Sequence, residues 1–392
     1  MLKNKTIVIF SLQPWDIKIG SNCKNIALEL AKNNRVIYVN RPLDRISWLR
    51  RKKDTITQNR MNVLKGRKEA VEQIDKNLWV LTPTIVMESV QWINSSFVFQ
   101  SLTERNSRRL AQNIKHYLDQ LEVDEFILFN DSAMFQGINL KKFLQPKLFI
   151  YYIRDYLIAQ PYFKKHGPDI EQQLIKQADL VVTNSTYLAD YAKKYNANSF
   201  FIGQGCDLEM FQPQQIKSIP PSLQNIPQPI IGYVGSLTAK RLDINLLVYL
   251  AKHNPKWSIV LVGGEDEEFR NSELHHLSNV YFLGFQKPET LPQFIHGFDV
   301  CINPQVLNQL SIGNYPRKID EYLAMGKPVV ATKTEGMMMF KDYVYLAENK
   351  EQFEKGIHDL LKNNTKELYH QRINFAQSHS WENSIHAMAE LL

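Results

Sequence analysis

The sequence predicts an α/β protein built from two doubly wound domains. Apolar, β-rich runs alternate with helical patterns along the chain, and a proline-rich stretch interrupts this alternation past the middle. The runs are almost continuously hydrophobic, as expected for strands buried on both faces of a parallel sheet. The length of 392 residues also exceeds that of one typical domain. Together these observations indicate two Rossmann-like domains.

The first domain is predicted over residues 1–210. Its predicted strands are KTIVIF, RVIYVN, LWVLT, EFILFN, KLFIYYI and DLVVTN. Helical patterns near residues 21–33, 100–122 and 168–178 separate several of these strands. This strand–helix order is typical of a doubly wound sheet.

A linker and a second domain follow. Residues 211–229 hold five prolines among many polar residues, which cannot continue a helix or a central strand. After this predicted linker the alternation restarts, and a second α/β domain is predicted over 230–378. Residues 379–392 are predicted to form a last helix with Ser380 as its N-cap. Two such domains could face each other across a cleft.

The net charge of +7 is concentrated between Arg41 and Lys68, where ISWLRRKK places Trp48 and Leu49 beside four cations. A solvated loop explains this segment most simply. An anionic membrane surface is the next explanation, because basic residues and tryptophan favour that interface. Nucleic acid ranks lowest, since no known nucleic-acid-binding motif occurs, and we expect no such partner.

The cysteines and the apolar runs restrict the compartment. Cys23, Cys206 and Cys301 are scattered and odd in number, which excludes a disulfide framework and suggests no metal site. No run approaches the roughly 18 apolar residues of a membrane span, and the first apolar run is too short for a signal peptide. We therefore expect a cytoplasmic protein, with peripheral association with the inner face of the cell membrane as the further hypothesis.

The turn after IIGYVG is the first candidate site. Gly235 would let the backbone approach a ligand, and the helix that starts near Asp243 would attract an anion. Lys240 and Arg241 lie in the same loop, so the segment suits a diphosphate. The alternative is that Gly235 only ends a strand and that both cations are solvated.

Two neighbouring strand ends have similar features. Gly264 and Glu265 follow the strand SIVLV, and Gly284 and Phe285 follow NVYFL. The first pair would let a ligand pass close to the backbone, and the second could hold a flat base. Ordinary βα turns explain both equally well.

The segment YPRKIDEYLAMGKPVVAT predicts a helix followed by a buried strand. Pro316 suits the first helical position and Gly326 the helix end. Arg317, Lys318 and Glu321 lie off the apolar face. Taken alone, an exposed Arg317–Glu321 pair is the simpler interpretation.

The first domain offers two acidic candidates. Asp16 lies in the loop before Gly20, and Asp155 follows the strand LFIYYI. Either carboxylate could act as a base, and either could be an ordinary turn residue.

The combined pattern resembles the GT-B glycosyltransferases, most of all the retaining family 4 group and relatives in bacterial cell-surface polysaccharide synthesis. The similarity rests on GYVGSL, NVYFLG, DVCINP, PRKIDEYLAMGKPVVAT and the final SW, and covers roughly residues 230–392. A thinner match lies in ADLVVTNSTYLADYAKKYNANSFFIGQGCDLEMF. It rests on Asp179, Ser185, Gly205, Asp207 and Phe211.

The resemblance implies a role for each matching residue. Glu321 would bind the ribose hydroxyls, and Lys240 and Arg241 would bind the donor diphosphate. Further positions would line the donor site, namely Gly235 and Ser236 beneath the diphosphate, Gly284 and Phe285 at the base, and Gly20 and Ser21 towards acceptor and donor phosphate. The last helix would cross back onto the first domain.

One position departs from the family pattern. A second glutamate often stands eight positions before the ribose-binding one, but this chain has Gly313 there. The neighbouring NYPRK could replace it, with Tyr315 and Lys318 as the candidates. Retention of the anomeric configuration is therefore left open.

The resemblance implies transfer of a hexosyl group from a nucleotide-diphosphate sugar, with UDP or GDP as the expected nucleotide and no cofactor. The acceptor would be a saccharide or a lipid-linked saccharide. No Asp-x-Asp motif follows an apolar strand, so metal independence is expected. Two alternatives remain, a GT-B nucleotide-sugar epimerase and a non-catalytic nucleotide-sugar-binding protein.

Overall fold

The computed structural model describes residues 2–17, 21–50, 54–206 and 208–392. The chain folds into two compact units. One comprises residues 1–203 together with 384–392, and the other comprises residues 204–383. The sheet of the second unit is parallel, and that of the first is parallel apart from one antiparallel edge strand, so the predicted two-domain α/β class is confirmed.

The first unit is built on an eight-stranded sheet in the order β10-β9-β8-β7-β1-β2-β5-β4. A separate pair, β3 and β6, is also parallel. The strands are β1 Thr6–Ser11, β2 Arg35–Val39, β3 Leu43–Asp44, β4 Val71–Asp75, β5 Leu78–Leu81, β6 Val86–Met87, β7 Ile127–Asp131, β8 Leu148–Ile153, β9 Leu180–Thr183 and β10 Ser199–Phe201.

Eight helices complete the described part of this unit before residue 203. They are α1 Asn22–Ala31, α2 Arg45–Arg50, α3 Thr55–Leu64, α4 Ser96–Gln120, α5 Met134–Gly137, α6 Leu140–Leu144, α7 Gly167–Gln177 and α8 Thr186–Lys193. Ser21 caps α1 by accepting a hydrogen bond from the Lys24 amide, and Asp54 caps α3 in the same way. The core strands are buried along their length, which explains their continuous hydrophobicity.

The second unit contains a six-stranded, all-parallel sheet in the order β13-β12-β11-β14-β15-β16. Its strands are β11 Ile230–Val234, β12 Ser258–Val262, β13 Val280–Phe282, β14 Val300–Asn303, β15 Val329–Thr332 and β16 Tyr345–Ala347. Its helices are α9 Pro221–Gln224, α10 Ile244–His253, α11 Glu267–Arg270, α12 Leu291–His296, α13 Lys318–Ala324, α14 Lys350–Lys362 and α15 Lys366–Gln377.

The last helix, α16 (Trp381–Glu390), begins in the second unit, and residues 384–392 belong to the first. This is the return of the chain end that the resemblance implied.

The segment 211–229, predicted to be a linker, belongs to the second unit. Phe211 and Leu223 are buried in the core of that unit. Its prolines prevent long helices or strands. The apolar side chains between the prolines still pack against the core of the second unit.

Candidate functional site

The candidate donor site begins where β11 ends. Gly235 has φ +141°, in the region that favours glycine. A Cβ placed on Gly263, at the end of the neighbouring β12, would lie 1.8 Å from the carbonyl oxygen of Gly235. The two strand ends therefore touch through their backbones, and side chains are excluded from this contact.

Helix α13 is fastened to the same strand end. The Tyr322 hydroxyl accepts a hydrogen bond from the Val234 amide at 2.8 Å. The Lys318 ammonium bonds the Tyr233 hydroxyl and lies 4.1 Å from the centroid of that ring. A Cβ on Gly235 would lie 2.8 Å from the Lys318 Nζ. The structure thus brings Lys318 against Gly235, as expected of a phosphate or sugar contact.

Glu321 precedes the anchoring tyrosine on this helix. Its Oε1 lies 3.8 Å from the Arg317 Nη2, and its side chain is 16% exposed. The Arg317–Glu321 ion pair of the simpler interpretation is therefore present, but its atoms are far apart and partly buried. The carboxylate lies on the helix between Lys318 and Tyr322, which both bond residues of β11, and this place is compatible with the implied ribose contact.

Lys240 and Arg241 are both exposed in the loop between β11 and α10. Neither has an ion-pair partner within the described ranges. The loop itself is fixed, because the Lys240 carbonyl accepts from the Asn308 side chain at 3.0 Å and the Arg241 carbonyl accepts from the Val306 amide at 3.0 Å. Two uncompensated cations therefore stand on a positioned backbone beside exposed Ser236.

The next strand ends carry the remaining predicted residues of this unit. Gly264 is exposed, and its carbonyl accepts from the Leu237 amide at 2.9 Å. The Glu265 carboxylate is 2.8 Å from the Nε2 of His275. Gly284 has φ +65° with open space where a Cβ would stand, and Phe285 is 77% exposed. An exposed aromatic ring at this strand end is available to stack on a flat base.

Tyr315 occupies a different place from the predicted one. Its side chain is buried in the core, and its hydroxyl donates to the Asp320 Oδ2 at 2.7 Å. The Nδ1 of His379 lies 2.7 Å from the Asp320 Oδ1. Burial raises the pKa of Asp320, and His379 and Tyr315 oppose that shift. The aromatic residue before Pro316 therefore supports α13 from inside, and Lys318 alone of the two candidates points to the strand end.

Gly313 is buried in a tight turn. A Cβ on Gly336 would lie 3.0 Å from the Gly313 carbonyl carbon, and the Gly336 amide bonds the Ile312 carbonyl at 2.9 Å. The position of the family's second glutamate is thus part of a close backbone packing.

The acidic candidates of the first unit are both paired. Asp16 receives two hydrogen bonds of 3.0 Å from the buried guanidinium of Arg60. Burial alone would raise the pKa of Asp16, but the bonds from Arg60 and Asn59 lower it. A lowered pKa makes Asp16 a weaker base. Asp155 is 3.7 Å from the Arg154 Nη1 and partly exposed. Gly20 and Asp207 lie outside the described residues.

Sequence reasoning missed a buried polar cluster at the carboxyl ends of β1, β7 and β8. Asp131 accepts from the Ser11 hydroxyl at 2.6 Å and from the Arg154 Nε at 2.9 Å. Burial would lower the pKa of Arg154, but the Asp131 charge together with that of Asp155 and smaller contributions outweighs burial and raises it. The polar endings of the runs FILFND and IYYIRD were the available signal.

A second missed feature lies at the end of β14. Asn303 is 1% exposed, and neither its side-chain nitrogen nor its oxygen has a hydrogen-bond partner in the described part of the chain. The strand order of this sheet reverses between β11 and β14, which is where ligands bind in open parallel sheets. The run DVCINP, with a polar residue ending an apolar strand, carried this signal.

Two searches of the described residues gave negative results. No group of three or more His, Cys, Asp or Glu side chains could hold a metal ion. No helix is both long enough and apolar enough to cross a membrane. Metal independence stays a prediction.

Known structures share this architecture. Sucrose-phosphate synthase from Thermosynechococcus elongatus matches with a TM-score of 0.67 and 15% identity, over 99% of this chain and 98% of that one. HepE from Anabaena, solved with UDP, matches with a TM-score of 0.65 and 17% identity over 98% of both chains. A structure described as trehalose-6-phosphate from E. coli bound with UDP-2-fluoro glucose matches with a TM-score of 0.68 and 11% identity over 99% of both chains.

The family model described as Glycosyl transferases group 1 matches residues 228–363. The similar structures show that the protein has the GT-B fold, and residues 228–363 of its second unit match the glycosyl transferases group 1 model. Both findings agree with the resemblance seen in the sequence. Assignment to the retaining family 4 group stays a prediction. A particular relative is TuaH of Bacillus subtilis (strain 168), whose provisional name is teichuronic acid biosynthesis glycosyltransferase. It is 28% identical over 224 residues, which span 54% of this chain and 56% of TuaH, little more than half of each.

Proposed function

We propose that this protein is a glycosyltransferase that moves a hexosyl group from a nucleotide-diphosphate sugar, a UDP-sugar in particular, to a saccharide or lipid-linked acceptor. One observation carries the proposal. The end of β11 brings together a glycine-only backbone contact, two uncompensated cations in a fixed loop, and the helix that bears Lys318 and Glu321. The UDP-containing neighbours favour uridine among the nucleotides.

The chemistry of the transfer explains the cations. Breaking the bond between the sugar and the diphosphate leaves negative charge on the leaving group. Lys240, Arg241 and Lys318 would stabilise that charge from fixed positions, without reorganisation during the reaction. Glu321 would orient the donor through its ribose. If the reaction inverts the anomeric carbon, a base of the first unit is needed, and the more exposed Asp155 is better suited than Asp16, because both Asp16 oxygens are bonded to Arg60.

The biological role that we propose is the synthesis of a cell-envelope polysaccharide. The similarity to a protein named for teichuronic acid biosynthesis supports this role. The identity of the sugar does not enter the proposal.

We further propose that the enzyme works at the inner face of an anionic membrane. Trp48 and Leu49 on α2 are 41% and 65% exposed, and Lys65, Arg67 and Lys68 are exposed nearby in sequence. Arg51, Lys52 and Lys53 lie outside the described residues. Exposed apolar side chains beside basic ones fit a surface of anionic lipid.

The test is donor binding by matched variants. Thermal-shift measurements with UDP, GDP, ADP and CDP should show stabilisation, greatest with UDP. Glu321→Ala should raise the dissociation constant of UDP by about tenfold or more, about 1.4 kcal/mol. Glu351→Ala is the control, since Glu351 also lies in the first turn of a helix of the same unit but is exposed. Equal UDP affinity of both variants and the parent would contradict the proposal.

Product analysis separates transfer from the two alternatives. A transferase incubated with a UDP-sugar alone should hydrolyse it only slowly, whereas an epimerase would convert it to a second UDP-sugar. A non-catalytic binding protein would leave the UDP-sugar unchanged with every acceptor. These alternatives are tested because Gly313 stands where the family often has a glutamate.

A further inference from the structure

A pocket of about 570 Å³ opens at the carboxyl ends of the strands of the first unit. Leu12 follows β1, Arg41 follows β2, and Gln136 belongs to α5 just after β7. The strand order reverses between β1 and β7, so the pocket lies where open parallel sheets bind ligands. Its volume is in the range of small-molecule sites. A second cavity of about 830 Å³ lies at the opposite, amino ends of the strands, where this rule predicts no ligand.

The charged groups of the pocket are unequally satisfied. Asp44 accepts three hydrogen bonds, two from Ser47 and one from Ser89, and Glu88 is paired with Arg45. Among the described residues the Arg41 guanidinium donates one hydrogen bond, of 3.5 Å, to the Leu12 carbonyl, and its charge helps to lower the pKa of Asp44. Arg50 has no hydrogen-bond or ion-pair partner among the residues that the structure describes. The two carboxylates therefore already accept hydrogen bonds from protein donors. Most N–H groups of the two guanidinium groups, in contrast, have no acceptor among the described residues.

Neutral polar groups line the same pocket. The side chains of Gln91, Gln136 and Gln160 make no hydrogen bond within the described parts of the chain, and the Tyr162 ring is 44% exposed. Amide groups can donate and accept at once, which suits ligands rich in hydroxyl groups. An exposed ring offers an apolar face beside them. These features together are those of a saccharide site.

We propose that this pocket binds the acceptor, and that the acceptor is a saccharide carrying an anionic group, either a carboxylate or a phosphate. Arg41 and Arg50 would hold the anion, since guanidinium groups bind both oxyanions with paired hydrogen bonds. The glutamine amides would bind the sugar hydroxyls. The inference rests on the proposed transferase function, and it adds the chemical class of the second substrate.

The surroundings of the pocket admit two sources of the anion. Helix α2 supplies Arg50 to the pocket and carries exposed Trp48 and Leu49, and Trp92, next to Gln91, is 67% exposed. A phosphate that links a saccharide to a lipid would therefore have apolar side chains close by for its chain. A uronic acid within the saccharide would supply a carboxylate to the same arginines.

The experiment measures binding to the full chain by titration calorimetry. The probes are methyl glucuronide, glucose 1-phosphate and the neutral methyl glucoside. Both anionic probes should bind about fivefold or more tightly than the glucoside. Tighter binding of the glucuronide supports a uronic acid acceptor, and tighter binding of glucose 1-phosphate supports a lipid-linked phosphate.

Variants assign the effect to the pocket. Arg41→Met and Arg50→Met should each weaken anionic binding by about fivefold and leave glucoside binding unchanged. Arg108→Met is the control, because Arg108 is an exposed arginine of α4 outside the pocket. Arg41, Arg50 and Arg108 all lie outside the core. We therefore expect all three variants to melt at temperatures close to that of the parent protein.

Equal binding of charged and neutral probes, no binding of any probe, or full anionic affinity in the double variant Arg41→Met/Arg50→Met would overturn this inference. UDP stabilisation of the same samples separates it from the proposed function. Loss of anion selectivity with UDP binding intact counts against the acceptor pocket alone. Intact selectivity without nucleotide stabilisation counts against the transferase.

Discussion

Glu171 shows how burial sets the behaviour of a single residue. It lies on α7 and is fully buried, its Oε2 accepts from the Tyr191 hydroxyl at 3.1 Å, and its Oε1 has no partner among the described residues. Burial raises the pKa of Glu171 from 4.5 to about 7, against the lowering effect of the hydrogen bond from Tyr191. The native state thus favours the protonated carboxyl.

This shift predicts a pH-dependent stability. Because the native pKa is raised, the contribution is fully present below 4.5 and is lost as the pH rises through about 7. Glu171→Gln removes the titration and should stabilise the protein at about pH 8 by roughly 3 kcal/mol, with little effect at about pH 5. Thermal melting at both pH values measures the difference.

Glu125→Gln is the control, because Glu125 is exposed and its pKa is lowered by the Lys147 side chain. It should change the melting temperature equally at both pH values. If Glu171→Gln also changes the melting temperature equally at both pH values, Glu171 is ionised in the native protein over this whole pH range.

The sequence could predict some residues of the site and not others. Glu321, Lys318 and Gly235 stand in local patterns with recognisable spacing, and the structure brings Lys318 to Gly235. Asp320 and His379 are 59 positions apart, and no local pattern announces their contact. Tyr315 was expected to line the site, but it is buried and bonds Asp320, because Asp320 itself is drawn into the core by its contact with the distant His379.

At the scale of elements, α13 is a short helix held from two sides. Tyr322 fastens it to β11, and Asp320 fastens it to Tyr315 and His379. Seven residues form too few internal hydrogen bonds to be stable alone. The position of Glu321 therefore depends on these side-chain anchors.

Removal of one anchor should destabilise the second unit. His379→Phe removes a hydrogen-bond partner of the fully buried Asp320 carboxyl and leaves Tyr315 in place, and leaving a buried polar atom unsatisfied typically costs about 1–3 kcal/mol. We expect a lower melting temperature than for His370→Phe, an exposed histidine of α15. The double variant His379→Phe/Asp320→Asn should recover part of the loss, because it removes the charge. No recovery would show that packing of the histidine ring, rather than charge, is what matters.

The strands that are buried on both faces of a sheet were predicted correctly from the sequence. The strands β1, β7, β8, β11 and β12 follow continuous apolar runs. β4 was not predicted, because this antiparallel edge strand is mostly exposed and has a polar sequence. In the segment 211–229, proline content indicated a linker, while its apolar residues determine that it packs on the second unit.

At the scale of the whole molecule, charge and exposed apolar groups are concentrated in the first unit. The net charge is +7. The segment from Arg41 to Lys68 supplies much of this excess together with Trp48 and Leu49. We expect this segment to determine membrane attachment if attachment occurs at all.

Vesicle flotation measures membrane attachment directly. The protein should float with phosphatidylcholine vesicles that contain phosphatidylglycerol and stay unbound with phosphatidylcholine alone, since each basic residue near an anionic surface adds about 1 kcal/mol. Trp48→Ala/Leu49→Ala should reduce recovery. Leu307→Ala, which removes an exposed leucine from the second unit, should not. Equal recovery with and without anionic lipid would rule out an electrostatic membrane site.

The two-unit organisation was predictable because each unit repeats the same alternation of buried strands and helices. The boundary itself was less visible, since contacts rather than composition assign residues 204–229 to the second unit. The pocket of the first unit could not be predicted, because its lining comes from segments that follow several separate strands, among them β1, β2, β6, β7 and β8.

The contrast between two glycine positions bears on how such an enzyme could acquire a new donor. At Gly263 an added Cβ would collide with the backbone of Gly235, so substitution there would push the two strand ends apart. At Gly235 the φ of +141° disfavours a side chain, and an added Cβ would lie 2.8 Å from the Lys318 Nζ. At Gly284 there is open space, and Phe285 extends into solvent. The loop after β13 therefore has room for varied side chains, while the contact between the ends of β11 and β12 requires glycine. Directed evolution of nucleotide preference should accordingly draw its accepted substitutions from residues 284–286 and leave the glycine contact untouched.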